Sequence, residues 1–227
     1  MMKFLRKIFP NNPDDNRKWH QKKRYRFLMA FVALSLISGL FADDSAVDPA
    51  RAEYEESFGV FSPKNFSGTG PGVFEIDAEY GVLRISHQGD GNFELIGSSS
   101  LGLSQLELSG SGVFQTELDL GLTNSDVEEL EVTTDSEWSI ELLPISQANS
   151  LVESSAGNGV FVYDGPAVDW ELSSQSGSIE IWQSDLDEEV NKLLQADGEL
   201  TVTVSAASGP SVVIIKATDS WQLSPQQ

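Results

Sequence analysis

From Ser67 to its end the chain alternates. Leu83 and Ile85, Phe93 and Leu95, Leu118 and Leu120, Leu130 and Val132, then Trp138, Ile140 and Leu142, each leave one polar residue between apolar neighbours. The habit continues with Val168, Trp170 and Leu172, with Ile179 and Ile181, and with Leu200, Val202 and Val204. Side chains two apart share one face of a strand, so this period predicts many short antiparallel strands, each half-buried, punctuated by turns of Gly, Ser, Asp and Asn. The β-branched run Val212–Ile215 is continuous, as in a strand buried on both faces. One stretch departs from the pattern. Asp185–Gln195 (DLDEEVNKLLQ) offers a capping box in Asp185 and Glu188 and a shared face of Leu186, Val190 and Leu193. It reads either as a helix or as a turn leading into a strand.

The strand pattern also repeats. GVFEID (72–77) answers GVFVYD (159–164), GVLRISHQGDGNFELI (81–96) answers AVDWELSSQSGSIEIW (167–182), and LEVTTDSEWSIELLP (130–144) answers VIIKATDSWQLSP (213–225). Three blocks recurring in one order at nearly constant spacing imply duplication. The expected fold is therefore all-β, with two tandem antiparallel β-sandwich modules at 67–144 and 159–227. A polar linker (145–158) is expected between them. An acidic stalk (43–66) precedes them, with a short helix possible around Arg51–Ser57 after Pro49.

Ahead of the stalk the texture changes. Phe27–Ala42 is an uncharged run of 16 residues, behind a head (1–26) that holds nine of the 14 basic residues and two of the 35 acids. That leaves five bases and 33 acids beyond the run, a net charge of −28 against +7 for the head. Basic residues stay on the cytoplasmic side of a membrane, so the distribution predicts a single-pass anchor with the N-terminus inside and the body outside. As a helix the run is roughly 24 Å long, short of a hydrocarbon core about 30 Å thick, and snorkelling of Arg26 and local thinning cover the difference. Cleavage after Ala42 or Ala46 would place Leu40 or Asp44 at the −3 position, which favours an uncleaved anchor over the alternative of a secreted, cleaved product. With no cysteine, disulfides and lipid attachment at an exported N-terminus are excluded. The negative body repels phosphate backbones, so nucleic acid is not an expected partner.

Two short blocks carry a resemblance. Ser86, His87, Gly89, Asn92 and Phe93, followed by Asp135, Trp138 and Ile140, resemble a repeated β-rich module of exported or membrane-anchored actinobacterial proteins. In that module a Thr/Ser-His-x-Gly-x-x-Asn-Phe block precedes an Asp-Gly-x-Trp-x-Ile block. Here the late block has one extra residue and a Ser in place of the Gly. The second copy keeps only the pattern, with Ser174 and Ser178-Ile179 in place of the His and the Asn-Phe. The resemblance implies a β-rich fold and export, and implies no activity.

Candidate chemistry is sparse. His87 is the one histidine beyond the apolar run, and a single His without Cys does not build a zinc, copper or iron site. Its expected task is to anchor the turn Gln88–Asn92 through backbone hydrogen bonds. Oxygen ligands gather near turns at Asp90 and Asn92 and at Asp185, Asp187 and Glu188, as a calcium ion would need, although neither group forms an EF-hand loop. Among the tryptophans, Trp138, Trp170 and Trp221 keep register with aliphatic neighbours and are expected in cores. Trp182 follows Ile181 and faces the other side of its strand, which makes it the candidate ring for a ligand. No catalytic residue and no cofactor are expected. The sequence reads as a membrane-anchored, non-catalytic envelope scaffold or binding module for a protein or a wall glycan. Its alternative is an accessory or catalytic domain in cell-wall polysaccharide processing.

Overall fold

The computed structural model describes residues 49–124, 126–187 and 189–226. Residues 1–48, and with them the basic head and the apolar run, lie outside the described residues. Among the described residues no helix is long and apolar enough to cross a membrane.

Helix α1 (Pro49–Phe58) opens the body. The first half follows with β1 (Lys64–Thr69), β2 (Gly72–Glu75), β3 (Gly81–His87), β4 (Asn92–Ser98), β5 (Ser104–Ser111), β6 (Phe114–Leu120), β7 (Glu129–Thr134) and β8 (Glu137–Leu143). A 3-10 turn (Ile145–Gln147) and β9 (Asn149–Ser150) lead into the second half. It contains β10 (Ser154–Ala156), β11 (Gly159–Tyr163), β12 (Val168–Ser174), β13 (Ser178–Ser184), β14 (Val190–Asp197), β15 (Leu200–Ala206), β16 (Ser211–Ala217) and β17 (Ser220–Pro225). The fold is all-β, and every pairing is antiparallel except that of β9 with β11.

Four sheets result. The first half holds β1-β8-β3-β6 and β2-β7-β4-β5; the second holds β10-β17-β12-β15 and β14-β13-β16-β11-β9. Adding nine to each strand of the first half reproduces the order of the second, β9 aside. Each pair of sheets encloses its own core. Leu83, Phe93, Leu95, Leu130, Val132, Trp138 and Ile140 fill the first; Trp170, Leu172, Ile179, Ile181, Val213, Ile215 and Trp221 fill the second.

A third core joins the halves. It gathers Tyr54 and Phe58 of α1, Val82 and Leu143 of the first half, Ile145 and Ala148 of the connection, and Val160, Val162, Val212 and Ile214 of the second half. β16 is therefore buried on both faces, as the run Val212–Ile215 predicts: Val213 and Ile215 enter the second core, Val212 and Ile214 the third.

The short helix expected around Arg51–Ser57 is present as α1, but the segment expected as an open acidic stalk packs against the body and runs into a paired strand. Tyr54 and Phe58, four apart on one helix face, are both buried, and β1 pairs with β8. The segment expected as a linker holds the buried Ile145, Ser146 and Ala148, and its β10 pairs with β17. Both strands are mostly polar (KNFSGT and SSA) and lack alternating apolar residues, so they left no periodic signal. In the ambiguous stretch 185–195 the strand alternative holds: β14 pairs with β13 across a register shift at Ile181/Trp182.

Candidate functional site

His87, at the end of β3, is completely buried. Its Nδ1 lies 2.7 Å from the carbonyl oxygen of Gly112, which can only accept, so Nδ1 carries the proton. Nε2 lies 3.1 Å from the Thr134 hydroxyl, which in turn accepts the N–H of Ser136. Phe93 and Phe114 flank the imidazole ring. The histidine thus ties the β5–β6 turn to the end of β7, rather than the turn Gln88–Asn92, and both ring nitrogens are taken up in that task.

The two groups of calcium candidates lie at separate turns. Asp90 and Asn92 are exposed in and beside the β3–β4 turn. The Asp185 carboxylate accepts the backbone N–H groups of Asp187 and Glu189 at 3.0 and 3.1 Å, closing the β13–β14 turn. Glu188 lies outside the described residues. Among the described residues no three His, Cys, Asp or Glu side chains group as a metal site.

Trp182 is half-buried against the third core. Its indole N–H donates to Glu180 at 3.1 Å, and the Lys192 ammonium stands 4.3 Å from the ring centroid. A cation over one face and a protein core beside the ring leave no open stacking platform. Trp138, Trp170 and Trp221 are buried in the cores, as their register predicts.

Two further buried polar groups had no signal in the sequence. The phenol of Tyr54 lies 2.8 Å from Asp164 Oδ1 and 3.1 Å from both the backbone nitrogen and the carbonyl oxygen of Ser211. Burial, reinforced by the Asp164 carboxylate, pushes its pKa far above the ordinary phenol value. Asp119 is 1% exposed and accepts the backbone N–H and hydroxyl of Thr123 and the amide of Asn124, with Lys216 of the second half 3.8 Å away.

The described residues contain five basic side chains, and each has an internal partner. Arg51 donates to the Ser146 carbonyl, Lys64 pairs with Asp77, and Arg84 pairs with Glu117 and Glu141. Lys192 pairs with Glu180, and Lys216 approaches Asp119. Carboxylates therefore dominate the charge left on the surface.

Five of them, Glu75, Glu94, Glu107, Glu129 and Glu131, alternate with core-facing residues and so share the outer face of β2-β7-β4-β5. Register places Glu131 between Val73 and Ile96, and Glu129 between Glu75 and Ser98. In the second half the same positions are Ile214 between Val160 and Trp182, and Val212 between Val162 and Ser184. One sheet position thus faces the third core in the second half and water in the first. Beside that acidic face lies an open groove of about 420 Å³, lined by Glu75, Ile76, Ser99, Gly102, Glu128 and Glu129.

The sequence matches no protein-family profile and no curated protein. Among solved structures, a regulatory subunit of a cAMP-independent protein kinase A from Trypanosoma cruzi aligns at 10% identity and a TM-score of 0.23, over 74% of this chain and 80% of its own. The stem and receptor-binding domain of the spike protein P1 from bacteriophage PM2 aligns at 10% identity and a TM-score of 0.20, over 73% and 78%. Likeness this slight carries no argument about fold or function.

Proposed function

We propose that this is a single-pass, membrane-anchored protein that holds two tandem β-sandwich modules outside the membrane as one rigid, non-catalytic unit. In this reading it serves the cell envelope as a scaffold or binding module. The supporting observation is the third core. A helix and both halves share it, so the two sheet pairs are held at a fixed relation instead of hanging on a flexible linker, which suits presentation of a surface. The buried polar groups point the same way: His87, Tyr54 and Asp119 each secure a turn or a joint through hydrogen bonds within the fold. The +7 head and −28 body support the orientation.

Protease added to intact cells stripped of outer wall tests the placement. Residues 43–227 should be digested and residues 1–26 spared. Protection of the body together with cleavage of the head would overturn it. A protein partner suits the carboxylate-rich face better than a wall glycan, because the half-buried Trp182 offers no open ring to a sugar.

A further inference from the structure

The β4–β5 loop displays leucine where a turn ordinarily displays polar residues. Leu101 is 84% exposed and Leu103 58% exposed. The loop is nonetheless well formed. Gly102 N–H donates to Ser99 O at 2.8 Å, Ser99 N–H donates to Leu103 O at 3.0 Å, and Gly102 takes φ +74° to close the turn. The leucines are held out by a fixed backbone, which lowers the ordering cost of engaging them.

The equivalent β13–β14 loop shows what such a leucine does when it has a neighbour. There Leu186 packs against the third core and its flanks are acidic. Leu101 and Leu103 have no such cover. Next to them opens the groove between Glu75, Glu128 and Glu129, with the buried Ile76 in its wall. Glu75 and Glu129 stand directly opposite each other across β2 and β7, a like-charge pair that disfavours the sheet. The Ser99 hydroxyl oxygen is buried there without a hydrogen-bond partner.

We infer that this loop and groove dock a basic protein partner, one that offers an apolar cleft to Leu101 and Leu103 and a Lys or Arg side chain to the three glutamates. The alkyl stem of that side chain runs along Ile76 while its charge sits among the carboxylates. The inference rests on the binding-module reading and names its surface. A second copy of this chain is a poor occupant, since its body is strongly negative and its five basic side chains are committed internally. Anionic lipid is repelled by the same carboxylates.

The test is site-specific photocrosslinking of the full chain in its own cells. The photoreactive residue p-benzoylphenylalanine replaces Leu101, Val113 or Glu171 in turn; Val113 and Glu171 are exposed sites away from the loop. The Leu101 probe should yield an adduct that mass spectrometry identifies as a basic protein, joined at an apolar segment flanked by Lys or Arg. Glu75→Gln with Glu129→Gln, or Leu103→Ser, should each cut the yield at least fivefold, with melting raised by the first, which relieves the like-charge pair, and unchanged by the second. An adduct only with a second copy, an adduct only with lipid, or a yield indifferent to these substitutions would overturn the inference. A protein adduct at Val113 or Glu171 with none at Leu101 would overturn this surface and leave the binding-module reading standing. No protein adduct at any position would count against both.

Discussion

The indole N–H of Trp138 donates to the carbonyl oxygen of Gly70 at 2.8 Å, joining the start of β8 to the turn between β1 and β2. Trp221 does the same with Gly157 at 3.1 Å, from β17 to the turn between β10 and β11. Both glycines have positive φ, +89° and +73°, so each carbonyl is aimed by a backbone conformation that other residues rarely adopt. Phe74 packs beside the first indole and Phe161 beside the second. The same clasp closes each core.

Truncating either tryptophan should be severe. Trp138→Ala and Trp221→Ala each remove a large buried ring, a loss of about 3–5 kcal/mol. Because the halves share the third core, both variants should lower one common melting transition. Scanning calorimetry checks this through the ratio of van't Hoff to calorimetric enthalpy, which stays near one if the body unfolds as a unit. Two resolved transitions would show that the third core does not couple the halves.

Gly72→Ala should destabilise by about 1–3 kcal/mol through overpacking, since a Cβ there would sit 2.8 Å from the Trp138 ring. Urea unfolding reads this as a lower midpoint with an unchanged slope.

Tyr54 should make the body sensitive to alkali. Its phenol is raised in the folded state by burial and by Asp164, so folding favours the neutral form. That stabilisation is complete below the unfolded phenol value of about 10 and is lost as the pH rises above it. Tyr54→Phe should cost about 1–3 kcal/mol at neutral pH, because it strands buried polar partners. The variant should also lose less stability than the parent between neutral pH and pH about 11, and equal losses in melting temperature would refute the linkage.

Calcium should act on this body only as an ion. At matched ionic strength, millimolar calcium and monovalent salt should raise the melting temperature equally by screening carboxylate repulsion. The Asp185 carboxylate is already engaged by two backbone N–H groups, and Asp90 and Asn92 lie on an exposed turn. A rise specific to calcium would restore the turn residues as ligands.

What the sequence determined by itself is local. Period-two alternation along Leu130–Val132 and Trp138–Leu142 settles both the strands and their inward faces, because a one-residue slip would turn every apolar side chain to water. The unbroken Val212–Ile215 run settles a strand covered twice. The recurring blocks foretell the repeated strand order, since like patterns pair alike. Tertiary structure alone decided the joints. Pro49 marks the start of α1, yet nothing local shows what the helix packs against, and β1 and β10 carry almost no apolar residues; the joints depend on partners 68 to 157 positions away, Trp138 for Gly70 and Ser211 for Tyr54. The same limit hid the loop at Leu101. Leu186 and Leu101 both stand as a leucine within a turn, and only the third core, assembled from α1 and both halves, separates the covered one from the exposed one.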